Sequence, residues 1–263
     1  MLRRPLETSF TRPHAFALVL AAVALTVATG CGGGTSSNSP APAAAAPTTN
    51  PVDPATAGKI TGRITLQGTP PKAQKVETKS DPYCTAPVVT EEVVVGPNGA
   101  LQNVFVYVKD GLGNLKFPIP TKSVALEQEG CRYKPHVMGI QVGQTLDIVN
   151  DDDTLHNIHA VPMNNGEFNK PQQFKGFRNT HVFNTKEVMV PFKCDVHKWM
   201  SAYVGVLDHP FFAVTGNDGA FTLDGLPPGT YTIEAVHEKY GRQTQTVTLG
   251  AKGSQDIAFT FKT

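Results

Sequence analysis

A cysteine, a histidine and a methionine fall within the short run Cys194-Asp195-Val196-His197-Lys198-Trp199-Met200, and another histidine stands upstream in the step His156-Asn157. Together they offer one thiolate, two imidazoles and one thioether. The soft sulfur donors select copper over hard cations. Two imidazoles and a thiolate can form a trigonal plane, with the thioether as a long, weak axial ligand. Zinc could enter such a set, but Met is a poor zinc ligand. The chemistry expected is reversible one-electron exchange at one copper ion. The plainer alternative is a Cys194 buried only for packing and an ordinary surface His197; it needs four suitable donor types to fall in this order by coincidence.

These donors need a scaffold that turns them toward one point. Val188-Met189-Val190-Pro191-Phe192 reads as a strand ending near Cys194, and Ser201 to Leu207 reads as the next strand. The run between them is then a tight loop, which can converge side chains that a straight strand would send to opposite faces. His156 follows the apolar strand Thr145-Leu146-Asp147-Ile148-Val149-Asn150. The upstream donor therefore comes from the end of a second strand.

Cys-x2-His-x2-Met, with a His-Asn step after a strand that ends in Asn, resembles the cupredoxin family, its amicyanin-like members above all; plastocyanin-like members share the upstream His-Asn pattern but have a longer gap before the Met. The resemblance covers roughly residues 85–208. It implies a Greek-key β-sandwich and a type 1 copper ion held by His156, Cys194, His197 and Met200. It also implies that Asn157 points its backbone amide at the Cys194 sulfur and ties the two ligand loops together with its side chain. The electron port would be the ring edge of His197, with Lys198 and Trp199 beside it. The acidic run Asp151-Asp152-Asp153 just before His156 departs from the family pattern and bears on the potential or the partner surface.

The chain is long enough, at 263 residues, for one large or two small domains. Lys plus Arg is 23 against 22 for Asp plus Glu, so no global charge calls for nucleic acid. Gly 24 and Pro 21, with many Val and Thr, suit an all-β chain rich in turns.

Residues 1–30 read as a targeting segment. Arg3, Arg4 and Arg12 precede an apolar stretch, Ala15 to Ala28, that is too short for a comfortable membrane span. Ala28-Thr29-Gly30-Cys31 resembles a bacterial lipoprotein signal, although Ala28 stands where that family usually has Leu. The resemblance implies a lipidated Cys31, an exported protein and a membrane anchor facing the periplasm or cell exterior; cleavage by ordinary signal peptidase is the alternative. Residues 31–58 then read as a disordered tether with a reach of roughly 25–30 Å.

Four cysteines are present. With Cys31 given to lipid and Cys194 to metal, Cys84 and Cys131 remain as an even pair in an exported chain, which predicts a disulfide between them. Two free thiols, or a thiol binding a second metal, are the alternatives. Among the eight histidines, His159 lies three residues beyond His156 and would face away from it on a strand. His136 lies before the first ligand strand and could come near the copper.

After Leu207 the pattern changes. Asn217-Asp218-Gly219 is a hairpin turn, and Gly225-Leu226-Pro227-Pro228-Gly229-Thr230-Tyr231 followed by alternating strands resembles a carboxypeptidase regulatory-like domain, a small transthyretin-like β-sandwich. No peptidase site accompanies it. Gly58-Lys59-Ile60-Thr61-Gly62-Arg63-Ile64 is similar to that sandwich's first strand. The expected order is a first strand and lead-in over 59–84, a cupredoxin unit over 85–208 inserted after it, and the rest of the smaller sandwich over 209–263; two domains in tandem are the alternative. The smaller unit is expected to pack or present its neighbour.

The function expected is a tethered carrier of single electrons between transiently docked redox proteins, without enzymatic turnover. A copper-handling or copper-sensing protein is the alternative, and an extracellular binding or adhesion module with structural copper is another.

Overall fold

The computed structural model describes residues 47–263. The targeting segment, Cys31 and most of the tether lie outside the described residues. In chain order the strands are β1 (Gly58–Gln67), β2 (Phe105–Asp110), β3 (Val124–Gln128), β4 (Tyr133–Lys134), β5 (Val137–Gln141), β6 (Thr145–Asn150), β7 (His156–Ala160) and β8 (Phe168–Gln172). They continue as β9 (Arg178–Val182), β10 (Glu187–Lys193), β11 (Ser201–Leu207), β12 (Phe212–Val214), β13 (Ala220–Leu226), β14 (Gly229–His237), β15 (Gly241–Leu249) and β16 (Ser254–Lys262).

The fold is all-β, built of two sandwiches. The larger stacks sheet β4-β3-β6-β9 on sheet β5-β11-β10-β7-β8. Its core holds Leu126, Ile140, Leu146, Ile148, Ile158, Phe183 and Phe192, and also contains Cys194 and Met200. The smaller stacks β13-β1-β16 on β12-β2-β14-β15 around Ile60, Ile64, Val106, Phe221, Ile233 and Phe259. β1 runs antiparallel to β13 and parallel to β16, so the smaller sandwich is completed by a strand from far upstream.

The interruption falls one strand later than expected. β2 lies inside the 85–208 span expected for the larger unit, yet it pairs with β14 and β12 in the smaller one. The larger sandwich begins at β3. Phe105-Val106-Tyr107-Val108 is buried on both faces, with Val106 and Val108 in the smaller core and Phe105 and Tyr107 in the joint between sandwiches. A strand covered on both sides reads as a continuous apolar run, which does not reveal which sheet owns it.

That joint depends on two glycines. Gly139 of β5 and Gly205 of β11 are cross-strand partners, and the rings of Phe105 and Phe212 lie over them. A Cβ at position 205 would come within 2.2 Å of the Phe105 ring, and one at position 139 within 2.3 Å of the Phe212 ring. Gly205→Ala should therefore cost about 1–3 kcal/mol by overpacking, read as a lower denaturant midpoint. Adding Phe105→Leu should recover part of the loss. A Gly205→Ala protein as stable as the parent would show that the rings do not occupy this slot.

Candidate metal centre

β10 and β11 form an antiparallel hairpin with Lys193 opposite Ser201, which leaves Cys194 to Met200 as its loop. The loop is closed by the Cys194 N–H donating to Met200 O (3.2 Å) and the Met200 N–H donating to His197 O (2.9 Å). β7 lies next to β10, with His159 opposite Lys193, and this brings His156 and Asn157 against the loop. Asn157 Oδ1 accepts from the Asp195 N–H at 2.6 Å and the Val196 N–H at 3.4 Å, and lies 3.2 Å from Cys194 Sγ. Below them the Tyr133 hydroxyl lies 2.5 Å from Asn157 O and 3.0 Å from Lys193 O. One phenol thus spans both ligand-bearing strands.

His156, Cys194 and His197 converge, all of them buried, with their donor atoms within 4.8 Å of one another. His156 Nδ1 and His197 Nδ1 are 2.8 Å apart, and Cys194 Sγ is 3.9 Å from His197 Nδ1. Met200 is 1% exposed in the same core cluster. The far nitrogen of each ring meets a carboxylate: His156 Nε2 lies 2.9 Å from Asp152 Oδ2, and His197 Nε2 lies 2.8 Å from Asp81 Oδ2. Burial opposes ionisation of both carboxyls, but other contacts outweigh it. His156 and the Cys131 and Gly130 N–H groups hold Asp152 below its ordinary range; the Thr154 hydroxyl, the Tyr83 N–H and His197 do so for Asp81. An ionised carboxylate only accepts, so each imidazole donates its Nε2–H and turns its Nδ1 toward the sulfur and the other ring. Burial opposes charge on His156, but Asp152 and the Cys194 sulfur raise its pKa above the ordinary imidazole value.

The donor set fits a soft cation on this ground. Two ring nitrogens 2.8 Å apart beside a sulfur share a proton in the metal-free chain, and a soft cation can take that proton's place among the same three donors. The thiol is ready as a thiolate. Burial pushes Cys194 up, but His156, His197 and the backbone N–H groups of His197 and Asn157 bring it down to about 6. The Asn157 amide thus acts on the sulfur while its side chain bridges the two loops.

Two expectations are changed by the structure. The His197 ring edge does not reach the surface: the residue is 1% exposed, capped by Asp81 and by the Cys84–Cys131 disulfide, whose Cys84 sulfur lies 3.8 Å from His197 Nε2. His136 is not beside the donors. It bridges the Ser201 carbonyl (Nδ1, 3.1 Å) and Glu238 of the smaller sandwich (Nε2, 2.5 Å). His159 lies outside the cluster between Asp195 and Glu167, at 2.8 and 2.7 Å. Trp199 is half-buried, donates Nε1–H to Cys131 O at 3.0 Å, and packs its ring 5.0 Å from that of His197. Sequence reasoning missed Asp81, Asp152 and Tyr133. Asp152 carried a signal, as the middle of an acidic run one helical-type step (i, i+4) before His156; Asp81 carried none.

Residues 202–262 match the family model described as carboxypeptidase regulatory-like domain. No curated protein matches the chain. Among solved structures, a purple cupredoxin from Nitrosopumilus maritimus is similar at 29% identity over 32% of this chain and 97% of that one, with a TM-score of 0.28. An amicyanin mutant in its oxidized state is 20% identical over 32% of this chain and 81% of its own, with a TM-score of 0.30. A copper-containing nitrite reductase from Thermus scotoductus SA-01 is 21% identical over 36% of this chain, with a TM-score of 0.31; the match spans 24% of that enzyme.

The low thiol pKa has a consequence for stability. An unfolded thiol titrates near about 8.5, so between that value and about 6 the folded chain binds fewer protons than the unfolded one. Stability from Cys194 therefore rises with pH across this window, is fully present above it, and is lost as pH falls through about 6. Denaturant unfolding of the metal-free protein and of Cys194→Ser at roughly pH 5, 7 and 9 should show their difference changing in that sense. A pH-independent difference would mean the folded thiol is not depressed.

Proposed function

We propose that this chain is a carrier of single electrons that uses one copper ion. The observation that carries the reading is the convergence of two Nδ1 atoms and a low-pKa thiol in a buried pocket, with both Nε2 atoms already engaged. His156, Cys194 and His197 would hold the ion, with Met200 as the fourth donor. When bound, copper supplies a one-electron couple.

The chain's own residues do the rest. Asp152 and Asp81 fix the ring tautomers and orientations. The Asn157 amide stabilises negative charge on the Cys194 sulfur. The hydrophobic core around Cys194 and Met200 keeps water away, so the donors need not rearrange when charge changes. This closure favours a carrier over a protein that hands metal on, because exchange needs an open approach to the donors. The proposed role is one without enzymatic turnover. The targeting segment and Cys31 support an exported, lipid-anchored setting, in which the tethered domain would meet redox proteins near a membrane.

Adding Cu(II) to the metal-free protein should produce an intense visible thiolate-to-copper band and an electron paramagnetic resonance spectrum with narrow hyperfine splitting. Cys194→Ser should abolish the band and leave the β-sheet circular dichroism intact. Met200→Leu should keep the colour and raise the reduction potential. A weak, ordinary Cu(II) spectrum in the parent protein would sink the reading, and an unchanged potential in the Met200 variant would remove that residue from the donor set.

A further inference from the structure

The connection from β1 to β2 leaves the smaller sandwich, reaches the metal centre of the larger one and returns. Its two arms run side by side, with the Val76 N–H donating to Val88 O (2.9 Å) and the Thr90 N–H to Gln74 O (3.0 Å). At its tip the Thr78 hydroxyl donates to Cys84 O at 2.6 Å, and the Tyr83 N–H donates to Asp81 Oδ1 at 2.8 Å. The tip is fastened to the larger sandwich at four points. Cys84 is bonded to Cys131. The Thr154 hydroxyl donates to Asp81 Oδ2 at 2.6 Å, the Tyr83 hydroxyl to Asp152 Oδ1 at 3.4 Å, and His197 Nε2 meets Asp81 at 2.8 Å. Both disulfide cysteines are buried.

We propose that Asp81 is a positioning residue for metal binding, carried on a disulfide-locked strap that holds His197 in its ligating tautomer and seals the centre against exchange. The proposal rests on the copper reading for its purpose, but its geometry is independent of the metal. His156 is fixed by Asp152, which lies four residues away in its own loop. His197 has no such neighbour in the hairpin loop; its partner comes 116 residues from upstream. The disulfide places that partner. It also occupies the space over the His197 edge, so the strap is both clamp and cover. The metal ion, once held, would leave only when the strap lifts.

The test uses the full metal-free chain. Long-range proton–nitrogen correlation spectra report the His197 tautomer, and mass spectrometry of iodoacetamide-treated protein reports how fast the Cys194 peptide is alkylated. The parent should show His197 as the Nε2–H tautomer and slow alkylation. Asp81→Asn should preserve the tautomer, because the amide oxygen still accepts. Asp81→Ala should lose it and speed alkylation roughly tenfold to hundredfold, the factor expected for loss of a charge-assisted hydrogen bond. Cys84→Ser with Cys131→Ser should speed alkylation too; if that pair does not fold, the Asp81 variants decide alone. An Asp81→Ala protein with the parental tautomer and alkylation rate would overturn the proposal and leave the copper reading standing. The lock with no charge-transfer band on copper addition would do the reverse.

Discussion

Two imidazole nitrogens rest 2.8 Å apart in the buried cluster. Holding them there, beside a thiol that titrates at about 6, is the constraint around which the larger sandwich is organised. Each ring must be denied its alternative tautomer, so each Nε2 faces an ionised carboxylate. The two loops that bring the donors must not drift, so the Asn157 side chain accepts from the second loop and the Tyr133 hydroxyl reaches carbonyls on both strands. The pocket must stay dry, and the core closes over Cys194 and Met200. The result is three donors held around one point.

The smaller sandwich takes part in this arrangement. Its strand β2 supplies Phe105 to the joint, where Gly139 and Gly205 make a flat bed for aromatic rings. Glu238 reaches His136, whose other nitrogen meets the carbonyl of Ser201, the residue after Met200. The β1–β2 connection supplies Asp81. A unit expected from sequence to be a packing module is therefore joined to the candidate metal centre at both its edge and its roof.

What the sequence made legible follows from how local each signal is. The ligand loop, the strands around it and the donor types are contiguous, and the Cys84–Cys131 pairing follows from counting thiols in a chain whose first residues read as an export signal. The assignment of β1 to the smaller sandwich was legible because Gly58-Lys59-Ile60-Thr61-Gly62 alternates cleanly and is similar to that sandwich's first strand. β2 was not, because burial on both faces erased its alternation. The family match shows the same limit: it begins at residue 202, in β11 of the larger sandwich, and takes in neither β1 nor β2. Asp81 was invisible for a different reason. Nothing about an Asp three residues before a cysteine says which histidine it will meet, because that depends on a disulfide closing over another domain. The buried His197 follows from the same closure, which is why its ring edge was expected at the surface.

The order of strands along the chain sets an order of assembly. β1 leaves the ribosome first among the described strands, and its parallel partner β16 leaves last, with Thr61 and Asp256 separated by 195 residues. Every strand of the larger sandwich emerges before that partner exists. The larger sandwich can thus form while β1 still lacks that neighbour and keeps one edge open until synthesis ends. Such distant pairing is slow to find. A chain cut short between Met200 and Ser254 would carry the complete donor set beside a sheet whose β1 edge is open, and the last strand to arrive is the one that closes that edge.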